Sequence, residues 1–88
     1  MKYPKGIKAI YDHPKYADRY TVYYTFDRNP RNGYYACLGM SEKPFHPLGF
    51  GQHGEGMLGR HNGKKITFED LPADCKEAVM QDLECVKD

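Results

Sequence analysis

The sequence contains no tryptophan, only three cysteines and no long run of apolar residues. Because no apolar run is present near residue 1, we expect neither a signal peptide nor a membrane span. The cysteines are Cys37, Cys75 and Cys85, an odd number without the CxxC spacing of a metal or redox motif. These absences argue against a disulfide framework and predict free thiols in a cytoplasmic protein.

The length of 88 residues predicts one domain that covers residues 1–88. At this size a chain buries roughly 60–65% of its unfolded surface, which leaves no room for a second core. It also leaves little room for a deep pocket. No nucleophile–base pair is recognisable from residue spacing, so we expect a protein that is not an enzyme.

Charge is distributed unevenly along the chain, although the net charge is only +1. Residues 1–65 carry eleven Lys and Arg against five Asp and Glu, whereas residues 66–88 carry two against seven. The C-terminal quarter is therefore acidic. The sequence predicts a basic part followed by an acidic helix.

Four stretches have the composition of β-strands. Residues 19–26 are β-branched or aromatic after the first residue, and alternation places Tyr20, Val22 and Tyr24 on one face. The turn dipeptide Asn32-Gly33 connects this stretch to a partner strand over 34–40. Two shorter strands are expected at 6–11 and 64–68.

The C-terminal segment has helical periodicity. One apolar stripe contains Leu71, Cys75, Val79, Leu83 and Val86, and acidic residues fall on the opposite face. The predicted fold is α+β: a small, mainly antiparallel sheet of three to four strands, with one C-terminal amphipathic helix and a long Gly/His-rich loop.

That loop covers residues 44–63 and holds six of the nine glycines and three of the four histidines. Its stretch 49–54 matches GxGxxG by letter but lacks the preceding strand and following helix of a nucleotide site. Long irregular loops in small domains are often functional. The candidate binding residues are Phe45, His46, Phe50, Gln52, His53, Glu55, Met57, Arg60 and His61.

Three stretches together resemble small uncharacterised proteins of bacteriophages and prophages: 18–24 (DRYTVYY), 47–55 (PLGFGQHGE) and 63–72 (GKKITFEDLP). The resemblance covers roughly residues 18–85, and it carries no activity, cofactor or catalytic residue. It implies a protein that acts in the cytosol of a bacterial host. With the loop, it favours a binding protein that contacts an unknown host protein, with the acidic helix face as a second contact surface.

Two alternatives remain open. A single-stranded nucleic-acid binder would stack bases on a Tyr/Arg hairpin, which contains Arg19, Tyr23, Arg28, Arg31 and Tyr35. A zinc-binding domain would use His46, His53 and His61 with Cys37 or Glu55. The histidine gaps of seven and eight positions are not those of known zinc motifs, so no metal and no cofactor is predicted.

Two residues of the predicted helix have a reactive or charged side chain within the apolar stripe. Cys75 lies in the first turn, where a thiol can be activated, but also in the apolar stripe, which predicts a buried and inert side chain. Asp82 projects within roughly 20° of Cys75 and is therefore a buried polar candidate. A carboxylate there needs a partner, and we expect Arg19, a tyrosine hydroxyl or a loop histidine to supply it.

Overall fold

The computed structural model describes residues 3–16, 18–25 and 34–86. The turn at Asn32-Gly33, together with Arg28 and Arg31, lies outside the described residues. Five strands and one α-helix are present in the described part: β1 (Ile7–Asp12), β2 (Tyr20–Tyr24), β3 (Tyr35–Met40), β4 (Gly51–Gly56), β5 (Lys64–Ile66) and α1 (Ala73–Val86). In this part of the chain, no helix is long and apolar enough to cross a membrane.

The strands form one sheet in the order β4-β3-β2-β1-β5, and every neighbouring pair is antiparallel. The predicted α+β class is confirmed, and β1, β2, β3 and β5 fall within or close to the predicted stretches. The predicted strand number of three to four is too small, because β4 adds a fifth strand.

The fifth strand corrects the loop prediction. Residues 51–56 (GQHGEG) pair with β3 over the whole length of that strand. Strand propensity reflects side-chain packing on a half-buried surface, but three of these six residues are glycines and none of the other three is apolar. Their pairing uses main-chain hydrogen bonds, which leave no apolar alternation in the sequence.

The main core lies between α1 and one face of the sheet. Tyr20, Val22 and Tyr24 of β2 belong to it, as the alternation predicts. Four residues of the predicted apolar stripe are buried in this core: Leu71, which precedes α1, and Cys75, Val79 and Leu83 of α1. The helix therefore covers one face of the sheet.

The opposite face carries a second, smaller cluster built from Ala9, Tyr11 and Tyr23. Leu58 packs against this cluster, and the hydroxyl of Tyr23 donates a hydrogen bond of 2.7 Å to Oδ1 of Asn62. The segment 57–62, which follows β4, therefore lies over the second face.

Candidate functional site

The outer edge of β4 presents main-chain groups that no described strand pairs. Main-chain hydrogen bonding alternates along an antiparallel strand. The amide of Ser41 donates to the carbonyl of Phe50 at 2.9 Å, and Met40 pairs with Gly51. Residues 52, 54 and 56 therefore direct their amides to β3. The N–H and C=O groups of Gly51 and His53, at the alternate positions, point away from the sheet.

Side chains give this edge little cover. Residues 51–55 are all exposed, and Gly51, Gly54 and Gly56 have no side chain at all. Proteins usually protect a free edge with a proline, a charge, a bulge or a covering segment. β4 contains no proline and only one charged residue, Glu55.

A cavity of about 270 Å³ lies between α1 and the beginning of β4. Its apolar lining includes Leu38 and Met40 of β3, Ala78 of α1 and the ring of Phe45, which is 51% exposed. Gly51 also lines the cavity. The apolar space therefore lies next to the free edge.

The absence of a side chain at Gly51 helps to keep this cavity open. A Cβ atom there would lie 3.7 Å from Cδ1 of Leu38 and 3.8 Å from Cβ of Met40, which are ordinary van der Waals distances. Sterics therefore do not require a glycine at this position. A larger side chain would project from the helix-facing side of β4 and occupy the cavity.

Asp82 fastens the helix to two strands. Its Oδ1 lies 2.5 Å from Nε2 of His53 on β4, and its Oδ2 accepts a hydrogen bond from the hydroxyl of Tyr24 on β2. The side chain of Asp82 is only 10% exposed. A histidine and a tyrosine hydroxyl are two of the three partner types expected from the helical position of Asp82.

The other candidate binding residues do not form one surface. His46 lines a separate open cavity of about 400 Å³ with Arg19, and Gln52 lines one of about 130 Å³ with Cys37. Phe50 is half-buried and its carbonyl accepts from Ser41. Three more belong to the segment over the second sheet face: Met57, Arg60 and His61.

The base-stacking alternative needs an exposed ring at Tyr23, and the structure does not provide one. Tyr23 is only 3% exposed, and burial raises the pKa of its hydroxyl to about 12. Arg19 forms an ion pair with Asp12 at 2.8 Å, and Tyr35 is half-buried. Within the described residues the hairpin presents no pair of open tyrosine rings.

The histidines considered for zinc are also dispersed. His53 contacts Asp82, whereas Nδ1 of His46 accepts a hydrogen bond from the amide of Leu48 at 3.0 Å. Over residues 3–16, 18–25 and 34–86, no three His, Cys, Asp or Glu side chains form a group that could hold a metal ion.

Cys75 is buried in the core, with 0% exposure, as its position in the apolar stripe predicts. Its thiol contacts the carbonyl oxygens of Ser41 and Glu42 at 3.5 and 3.4 Å. Burial raises the pKa of this thiol from 9.0 to about 11. The structure thus favours an inert core thiol over a nucleophile.

The raised pKa of Cys75 predicts a loss of stability at alkaline pH. A group with a raised pKa in the folded state contributes its full stability below the unfolded value, here 9.0, and loses it as the pH rises through about 11. Two pKa units correspond to about 3 kcal/mol. We expect urea denaturation between pH 8 and 11 to show this decline in the free energy of unfolding, and we expect a smaller decline in Cys75→Ala.

In native protein, a thiol reagent should modify the exposed Cys85 well before Cys75. Equal rates would contradict the assignment.

Comparison with known proteins adds no relative: no family model, no curated protein and no solved structure matches this chain. The features that bear on function are the free edge of β4, the cavity beside it and the charges around them.

Proposed function

We propose that this protein is a non-enzymatic binding protein that accepts an extended segment of another protein as an additional strand along β4. The observation that carries the proposal is the free edge at Gly51 and His53, whose outward main-chain groups no described strand pairs. Given the resemblance to phage and prophage proteins, we propose a bacterial host protein as the partner.

Strand addition suits this edge physically. Main-chain hydrogen bonds to an added strand supply affinity, and alternate side chains of that strand supply specificity through neighbouring pockets. The glycines of β4 allow a second backbone to approach closely. The cavity beside Gly51 is a pocket for one side chain of the added strand.

The His53–Asp82 pair suits the proposed binding role. The second oxygen of Asp82 accepts a hydrogen bond from Tyr24, whose side chain is buried in the core. The three groups hold β4 against α1, which fixes the edge before a partner arrives and limits the entropy lost on binding.

Replacing Gly51 with proline tests the proposal. Proline removes the outward N–H of residue 51, while the inward N–H groups of residues 52, 54 and 56 remain available to β3. Gly51 is the first residue of β4, where a proline is tolerated, and it has no positive φ. We expect Gly51→Pro to weaken partner binding about tenfold, the loss that follows from one net hydrogen bond and the steric conflict of the ring with an added strand.

Gly51→Ala is the matched control, because it also adds a Cβ atom at residue 51, at ordinary van der Waals distances, and keeps the N–H group. Partner segments are selected from a display library of random peptides with wild-type protein as the target, and affinities are measured by titration calorimetry. The proposal expects Gly51→Ala to retain binding and Gly51→Pro to bind about tenfold more weakly. Equal affinities of the two variants would contradict strand addition at this edge.

A further inference from the structure

Extending the proposed function, on which this inference rests, we infer that the added strand is a basic peptide with one large apolar anchor. The anchor side chain enters the cavity beside Gly51. Lysine or arginine side chains at neighbouring helix-facing positions of the peptide lie against the acidic face of α1.

The apolar anchor follows from the position of the cavity. Gly51 is the first residue of β4. A side chain at this position would point toward the helix, because Gly51 pairs with Met40 of the main core. A peptide strand beside β4 has every second side chain on this same face. The side chain opposite Gly51 therefore meets Leu38, Met40 and Phe45, and its burial there is favourable.

The basic character follows from the charges along α1. Ala78, Gln81 and Cys85 line the cavity, and the adjacent positions on the solvent side of the helix carry Glu77 and Glu84, both exposed. Within the described part of α1 the one cation is Lys76, whose Nζ lies 3.2 Å from Oε2 of Glu69. On the helix side an approaching segment therefore meets exposed carboxylates, which complement lysine or arginine.

A second copy of this chain fits the site less well. Its own free edge, β4, has the sequence GQHGEG, which has no apolar side chain for the cavity. Its helix would bring a second acidic face toward the first. Charge and apolar content therefore both favour a different protein.

The test uses short synthetic peptides and full-length protein. Three peptides share one β-forming frame: leucine at the anchor with lysines at the flanking helix-facing positions, the same peptide with glutamates, and the lysine peptide with alanine at the anchor. At low salt we expect the lysine–leucine peptide to bind about tenfold more tightly than either other peptide. The lysine–glutamate difference should shrink as salt screens the exposed charges.

Gly51→Val is expected to abolish the preference for leucine over alanine, because the new side chain fills the cavity. Gly54→Val is the matched control. It makes the same substitution on the same strand, but on the opposite face of the sheet, where a Cβ would lie 4.0 Å from Sγ of Cys37. It should keep the leucine preference. Circular dichroism and urea denaturation confirm that both variants fold.

The outcomes distinguish this inference from the proposed strand addition on which it rests. If the lysine and glutamate peptides bind equally and both protect the outward amides of β4, the basic-peptide inference is overturned and strand addition stands. If no peptide alters the β4 amides, both fail. Concentration-dependent self-association through β4 that excludes the peptides would also overturn the inference, since the occupant would then be a second copy.

Discussion

Replacing Asp82 with alanine is expected to lower the free energy of unfolding by about 3 kcal/mol. The carboxylate is nearly buried and accepts from the Tyr24 hydroxyl while its other oxygen contacts His53. Its removal breaks two contacts that join α1 to β2 and β4. Urea denaturation monitored by circular dichroism measures the change.

Single substitutions of the two partners of Asp82, Tyr24 and His53, measure how much of this loss of stability each contact contributes. Tyr24→Phe keeps the buried ring and removes one hydrogen bond, with an expected cost of about 1 kcal/mol. His53→Ala removes the more exposed partner and should cost less. Combining each with Asp82→Ala gives double-mutant cycles, and contacting pairs should be non-additive. Full additivity, or an Asp82→Ala variant as stable as wild type, would contradict the fastening role.

Gly63→Ala is the second substitution with a large expected effect. Gly63 has φ 99° and ψ −152°, a region that glycine alone adopts without strain. A Cβ there would overlap the main-chain carbonyl of Asp12, the last residue of β1. Since Gly63 immediately precedes β5, relief of the overlap requires β5 to move away from β1. Strain and lost pairing together should cost about 3 kcal/mol or more.

Gly54→Ala serves as the control for Gly63→Ala. Gly54 lies within β4, has no positive φ, and a Cβ there makes only an ordinary contact. Its stability should stay within about 1 kcal/mol of wild type, because alanine also reduces the freedom of the unfolded chain. Thermal unfolding of the two variants side by side measures the contrast. A Gly63→Ala variant as stable as Gly54→Ala would show that the chain relieves the overlap locally.

The parts of the fold that depend on apolar periodicity were predictable from the sequence. Alternation in residues 19–26 gives the correct faces for Tyr20, Val22, Tyr24 and Tyr23. The helical stripe places Cys75 in the core for the same reason. Both patterns arise because burial of apolar surface drives the packing and leaves a periodic trace in the sequence.

β4 was not predictable in this way, because main-chain pairing with β3 forms it and none of its side chains is apolar. The cavity was missed for a related reason. It depends on the side chain that Gly51 lacks and on residues distant in sequence, such as Leu38 and Ala78. Asp82 was found because a carboxylate inside an apolar stripe breaks the pattern. The choice between its partners required the tertiary structure.

The most direct test of strand addition is amide hydrogen exchange along β4, measured by NMR with and without the lysine–leucine peptide. The outward N–H groups belong to Gly51 and His53, and the inward ones to residues 52, 54 and 56. Strand addition predicts that the peptide slows exchange of the two outward amides and leaves the inward ones, already bonded to β3, nearly unchanged. Peptide binding with no change in the outward amides would contradict the account.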